Sequence, residues 1–221
     1  MNELNITDNV KRIQSELQDS VLLQAAAKTR SADQVREAIE AGVRIIGYNY
    51  VQEAETIKSQ IHHPDVRWHM IGHLQKNKVN KAVRLFDMIE TIDSVFLAEL
   101  IDKQCAKIDK TMEVLLEINS GRESHKSGLL PEQAKDVAKA VAEFTSIRLC
   151  GVMTMGPWVE NPESLRPYFR QTKDLFDMIG EMNLPTVKMT WLSMGMSDSY
   201  KIAVEEGANM IRLGTALFGP R

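Results

Sequence analysis

Eight short apolar runs, separated by helical patterns, constrain the fold of this chain more than any other feature. The runs cover residues 21–27, 44–47, 66–72, 87–92, 112–119, 147–153, 189–193 and 209–213. They contain many branched and apolar residues, which is typical of parallel strands buried on both faces. Helical patterns lie between them at residues 34–41, 52–60, 95–106, 132–143 and 165–182. This alternation predicts an α/β fold.

Eight strands with no spare segment favour a closed (β/α)8 barrel of the TIM type. A doubly wound sheet would normally need fewer strands and a reversal of the chain. One extra helix is predicted before the first strand, at residues 7–17. Ser31 and Gln34 have capping-box spacing at the start of the next helix. The 221 residues suit a single barrel domain spanning residues 1–221.

The amino-acid composition limits the kinds of molecule that this chain is expected to bind. Charged residues make up 26% of the chain and the formal net charge is -3, so the basic excess of a nucleic-acid binder is missing. No run approaches the roughly 20 apolar residues of a membrane span, and the N-terminus does not read as a signal peptide. We therefore expect a cytoplasmic protein with neither a nucleic-acid nor a membrane partner.

The sequence offers little for a metal or a disulfide. Cys105 and Cys150 are the two cysteines, and both are expected to be buried thiols. His69 and His73 stand four residues apart, but a strand end and its turn would hold them too far apart to chelate readily. We expect no metal site.

The loops after the seventh and eighth strands predict a phosphate site, because TIM barrels often bind phosphate there. The first loop carries Ser193 and Ser197, and the second carries Gly214 and Thr215. Their hydroxyls and backbone N–H groups can face an anion. The alternative is that Ser197 only caps the following helix and Gly214 only ends its strand, which is the commoner situation for either residue alone. Their joint occurrence at the two expected loops favours phosphate.

Lys28 suggests the rest of the ligand. It follows Ala25, Ala26 and Ala27 at the end of the first strand, where partial desolvation at the barrel mouth favours a nucleophilic amine. A phosphate site with such a lysine indicates pyridoxal 5'-phosphate (PLP) held as a Schiff base. Arg212 precedes the phosphate loop, so its permanent charge can face the pyridine nitrogen and make the ring a poorer electron sink. Taken alone, Arg212 would be read as an ion-paired or snorkelling strand residue.

Six segments, in order along nearly the whole chain, resemble the pyridoxal phosphate homeostasis protein family. They are residues 26–29 (AAKT), 47–53 (GYNYVQE), 68–78 (WHMIGHLQKNK), 151–155 (GVMTM), 192–197 (LSMGMS) and 211–219 (IRLGTALFG). The resemblance implies a barrel like the N-terminal domain of alanine racemase. It also implies PLP on Lys28 and Arg212 at the pyridine nitrogen. The remaining implied contacts are Asn49 at the hydroxyl side of the ring and, around the phosphate, Ser193, Ser197, Gly214 and Thr215.

The chain departs from this family at two positions beside the expected site. Tyr48 stands where family members usually have Glu, and Ala27 stands where they usually have Ser. Tyr48 is the larger change, and it puts the surroundings of the ring or an oligomer contact in question.

The resemblance implies a non-enzymatic PLP-binding protein. It would serve PLP homeostasis by buffering the cofactor or delivering it to apoenzymes, with indirect effects on amino-acid balance, as a monomer or weak dimer.

Two alternatives remain open. The first is a weak PLP-dependent amino-acid racemase. In alanine racemase, however, the second acid/base group comes from a C-terminal β-domain of the partner subunit, and no such domain is expected here. The second alternative, a barrel enzyme acting on a phosphorylated sugar without PLP, leaves Lys28 and Arg212 unexplained.

Overall fold

A closed barrel of eight parallel strands forms the centre of the computed structural model, which describes residues 5–220. The strands are β1 (Leu22–Ala26), β2 (Ile45–Tyr48), β3 (Arg67–Met70), β4 (Met88–Ile92), β5 (Met112–Glu117), β6 (Ile147–Met153), β7 (Val187–Ser193) and β8 (Met210–Leu213). The helices are α1 (Ile6–Glu16), α2 (Ala32–Glu40), α3 (Val51–Lys58), α4 (Val79–Leu85), α5 (Val95–Ala106), α6 (Ala134–Ala142), α7 (Arg166–Glu181), α8 (Tyr200–Glu205) and α9 (Thr215–Phe218). Short 3-10 turns precede α4, α6 and α7 at Lys76–Lys78, Pro131–Gln133 and Pro162–Leu165.

The strands follow one another around the barrel in chain order, and β8 pairs with β1 to close it. Gln24 of β1 lies opposite Arg212 of β8 in this last pairing. The predicted (β/α)8 barrel with an extra N-terminal helix is confirmed.

Strand ends differ from the predictions by a few residues. The third predicted strand continued to residue 72, whereas β3 ends at Met70. The backbone of Asn49 explains this, because its carbonyl oxygen lies 2.5 Å from the place where a Cβ on Gly72 would stand. The chain turns at Gly72, because only a residue without a Cβ fits against the backbone that follows β2. The predicted capping box is present: Gln34 N donates to Ser31 Oγ (3.2 Å), and Ser31 N donates to Gln34 Oε1 (3.1 Å).

The barrel interior changes character along its axis. An apolar cluster inside the barrel consists of Met88, Leu115, Cys150 and Met153, with Trp191 against it. Glu90, Glu117 and Ser193 are also buried, each two residues closer to the carboxyl end of its strand than Met88, Leu115 and Trp191. A larger apolar core lies between the strands and the helices and includes Cys105. Cys105 and Cys150 are both buried free thiols, as expected. No helix within residues 5–220 is long and apolar enough to cross a membrane.

Helix α1 joins the two ends of the described chain. Asn9 Nδ2 donates to the carbonyl of Leu217 in α9 (3.0 Å). Glu16 accepts from the Tyr200 hydroxyl (2.7 Å) and pairs with Lys201 Nζ (3.0 Å), both in α8. Since α8 and α9 follow the loops after β7 and β8, α1 braces the segments predicted to bind phosphate.

Candidate functional site

A cavity of about 400 Å³ opens at the carboxyl ends of the strands, and we call it the mouth cavity. It brings together six of the seven predicted site residues, namely Lys28, Asn49, Ser197, Arg212, Gly214 and Thr215. Its remaining lining residues are Ala26, Ile71, Met155, Met196 and Asp198. Ser193, the seventh predicted residue, lies beneath this surface and does not line it.

Lys28 stands in a tight turn directly after β1. Ala27 N donates to the Gly47 carbonyl (3.0 Å), and Arg30 N donates back to the Ala27 carbonyl (3.1 Å). Thr29 has φ +65°, a left-handed conformation that is strained for a β-branched residue, and its N–H donates to the Glu53 carboxylate. This strained turn leaves the Lys28 side chain half-buried at the mouth.

The loops after β7 and β8 meet at the hydroxyl of Ser197. Its Oγ accepts hydrogen bonds from Gly214 N (3.3 Å) and Ala216 N (3.1 Å). The residue at the N-cap of α8 is Ser199, so the structure does not support the alternative that Ser197 caps this helix. Two backbone N–H groups that converge on one oxygen can also bind an oxygen of a phosphate. Thr215 stands beside them with its side chain exposed.

Arg212 is buried on the inner face of β8 and is held by hydrogen bonds on its inner side. Nη1 donates to Ser193 Oγ (2.8 Å), and Nη2 donates to the carbonyl of Thr154 (2.7 Å). Burial lowers the pKa of Arg212, while Glu90 and Glu117 oppose this shift. Ser193 therefore positions Arg212 instead of facing the cavity.

Glu90 lies on the other side of Ser193 from Arg212, and its carboxylate balances the charge of Arg212. The Ser193 hydroxyl donates to its Oε2 (2.8 Å), while Gln24 Nε2 (2.7 Å) and His69 Nδ1 (2.8 Å) bind its Oε1. Burial alone would raise the pKa of Glu90. The hydrogen bond and charge of His69, the charge of Arg212 and the Ser193 hydroxyl outweigh that effect and lower it. The result is a buried, ionised chain of contacts under the mouth cavity.

Tyr48 does not reach the mouth cavity. Its side chain is fully buried and stacks on Trp68, with the ring centroids 6.0 Å apart and an interplanar angle of 12°. Burial raises the pKa of its hydroxyl, and the charge of Glu53 adds to the shift. Tyr48 packs in the apolar core between strands and helices, and it is not among the residues that line the mouth cavity.

Glu117, at the end of β5, is a functional candidate that the sequence analysis missed. Glu117 is 8% exposed, and its Oε2 is buried without a hydrogen-bond partner among the described residues. Burial raises the pKa of Glu117 to about 7, with the charge of Asp93 adding to the shift and that of Arg212 opposing it. A carboxylate closing an apolar strand is a signal that was available in the sequence, since strand ends carry function in this fold.

A smaller cavity of about 120 Å³ lies beside the mouth cavity, and we call it the side cavity. The two cavities share Asn49, Ile71 and Met155. The other residues of the side cavity are Gly72, His73, Glu117, Ile118, Asn119, Ser120, Lys126, Ser127 and Gly156. Among residues 5–220, no group of three or more His, Cys, Asp or Glu side chains is arranged to hold a metal ion.

Comparison with known proteins gives consistent similarities over nearly the whole chain. A family model described as "Alanine racemase, N-terminal domain" matches residues 2–221. The pyridoxal phosphate homeostasis protein of Aquifex aeolicus is 38% identical over 90% of this chain and 86% of its own length. The mouse protein of the same name is 37% identical over 90% of this chain and 76% of its own.

Solved structures show the same architecture. PipY of Synechococcus elongatus PCC7942, described with PLP bound, has a TM-score of 0.89 and 32% identity, covering 97% of this chain and 100% of its own. An alanine racemase from Clostridium difficile has a TM-score of 0.81 at 15% identity. The match covers 98% of this chain and 56% of the racemase, and at that identity it supports the fold alone.

Proposed function

The chain belongs to the pyridoxal phosphate homeostasis protein family, and on that premise we propose that it holds PLP as a Schiff base on Lys28 and serves PLP homeostasis. One observation carries the proposal: Lys28, Arg212 and Ser197, whose hydroxyl accepts from the N–H groups of Gly214 and Ala216, border a single cavity. The volume of about 400 Å³ lies in the range of small-molecule sites.

The residues of the mouth cavity fit the chemical parts of PLP. The N–H groups of Gly214 and Ala216, with the hydroxyls of Ser197 and Thr215, suit the phosphate. The Lys28 amine suits the aldehyde carbon, and Asn49 suits the ring hydroxyl. When bound, the cofactor supplies an electrophilic carbon and an electron-accepting ring.

Arg212 supports a holding role over a catalytic one. The buried Glu90 and Ser193 keep its guanidinium charged and fixed. If Arg212 faces the pyridine nitrogen, this fixed cation would disfavour protonation there and would weaken the ring as an electron sink. The relatives are likewise named for homeostasis. The bound cofactor would therefore be buffered, or delivered to apoenzymes, with indirect effects on amino-acid balance.

A visible absorption spectrum and a borohydride reduction test the proposal directly. Protein incubated with PLP should absorb in the visible range, and borohydride reduction should place a pyridoxyl group on Lys28 in the peptide mass spectrum. Lys28→Ala should lose the modification, while Lys11→Ala, which changes an exposed lysine of α1, should keep it. A colourless protein that stays unmodified would overturn the proposal.

Weak amino-acid racemisation is the second candidate, and the position of Glu117 favours it. Glu117 ends β5 and Lys28 follows β1, so the two lie on opposite sides of an eight-stranded barrel. With its pKa raised to about 7, the Glu117 carboxyl can exchange a proton near neutral pH. A chiral assay over a panel of amino acids decides this point: turnover abolished by both Lys28→Ala and Glu117→Gln would replace the holding role with catalysis.

A further inference from the structure

The side cavity contains a carboxylate without a partner. Glu117 is more than nine-tenths buried, and its Oε2 accepts no hydrogen bond within residues 5–220. Leaving a buried acceptor unsatisfied is costly, and native proteins rarely do so without a functional reason. The cavity that Glu117 lines is therefore a candidate site for a ligand that donates hydrogen bonds.

The charged groups around Glu117 are committed to other contacts. Lys126 pairs with Glu123 and donates to the Gly156 carbonyl (3.1 Å). His73 Nδ1 contacts Asp93 (3.3 Å) and Ser127 Oγ (3.2 Å).

Arg212, the remaining cation that acts on Glu117, is held by Ser193 and Thr154 and faces Glu90 through Ser193. Within residues 5–220 Glu117 therefore has no ion-pair partner; the charge of Arg212 acts on it without contact, and Asp93 adds a second negative charge close by.

We propose that Glu117 forms a subsite for a small primary ammonium group in the side cavity. A negative, poorly solvated pocket favours a cation over a neutral donor. The volume of about 120 Å³ equals the share of roughly four liquid waters, which admits an ammonium nitrogen with a short carbon chain. A small amine or the amino group of a small amino acid meets these requirements.

The position of the subsite links it to the mouth cavity. Because the two cavities share Asn49, Ile71 and Met155, an amine bound at Glu117 lies beside the ligand of the mouth cavity, across the barrel from Lys28. The subsite itself needs neither Lys28 nor PLP. Failure of PLP binding would therefore leave this inference standing, and the reverse also holds.

The test measures binding of 13C-labelled methylammonium by NMR to PLP-treated protein and to the Lys28→Ala variant. Both should bind the probe. Affinity should fall about tenfold from pH 8 to pH 6, because a proton competes for a carboxyl with a pKa of about 7. Tetramethylammonium, which has the same charge but no N–H, should not displace the probe.

Two matched substitutions complete the test. Glu117→Gln keeps the shape of the side chain and should weaken methylammonium binding at least about tenfold at pH 8. That loss corresponds to 1.4 kcal/mol or more. Glu113→Gln changes the same residue type on the same strand at the opposite end of the barrel, where Glu113 pairs with Arg67 (2.5 Å), and should leave binding unchanged. Equal binding by the wild type and Glu117→Gln, or no binding by the wild type at any pH, would overturn the proposal.

Discussion

Replacing Glu117 by Gln should make the protein more stable relative to the wild type as the pH rises. The folded-state pKa of this carboxyl is about 7, against an ordinary value of 4.5. Between these values the unfolded chain has lost a proton that the folded chain keeps, so ionisation progressively favours unfolding. The full difference corresponds to about 3 kcal/mol, which is reached above pH 7 and is absent below pH 4.5.

The assay is urea unfolding of PLP-free protein at several pH values from 4.5 to 8. Asp93, His73, Lys126 and Arg212 act on Glu117 or line its cavity, and all four are present in both proteins. The difference between Glu117→Gln and the wild type therefore isolates the carboxyl. We expect this difference to grow by up to about 3 kcal/mol in favour of the variant. Glu113→Gln removes a carboxylate that has an arginine partner and should not gain stability in this way.

A flat difference between the two proteins would refute the reasoning. If the stability gap between Glu117→Gln and the wild type changed by less than about 0.5 kcal/mol across this pH range, the effect would be that of an ordinary surface substitution. Glu117 would then be solvated in the folded state, and the side cavity would lose the unpaired charge that defines it.

Three further predictions concern the mouth cavity and its supports. Ser197→Ala should weaken PLP retention about fivefold to tenfold in a spectroscopic titration, since a hydroxyl that can donate to the phosphate is lost. The urea midpoint should change less, because Gly214 and Ala216, whose N–H groups Ser197 now accepts from, are only half-buried. Equal loss of both properties would favour a purely structural role. Glu90→Gln leaves Arg212 buried without its counter-charge and should cost about 3–5 kcal/mol in urea unfolding. Gly72→Ala places a Cβ against the Asn49 backbone and should cost about 1–3 kcal/mol, with weaker PLP retention as the end of β2 shifts.

Much of the fold and part of the site could be predicted because each depends on local patterns. Apolar runs bounded by turns mark buried parallel strands, so all eight strands were found to within a few residues. TIM barrels carry their functional residues at the carboxyl ends of the strands. That rule was enough to predict site residues at or after strand ends, namely Lys28, Ser197, Arg212 and Gly214. Their convergence on one cavity follows from the order of the strands around the barrel.

The rest could not be predicted, because it depends on which side chains meet across the barrel. Gln24, His69 and Glu90 occupy three different strands and touch only after the barrel closes. Ser193 was assigned to the phosphate because it starts the loop motif, yet its position as the last residue of an inward-facing strand turns its hydroxyl toward Glu90. Strand register decides such contacts, and a local pattern does not reveal it.

Helix α1 and the pairing of β1 with β8 also set an order of events during protein synthesis. Lys28 is made well before β8, which closes the barrel against β1, and before the segments that meet at Ser197. Asn9 can make its contact only after α9 has been made, and Glu16 only after α8 has been made. Loading with PLP is therefore expected only after β8 and the loop that follows it have been made, and a nascent chain stalled before β8 should not turn yellow.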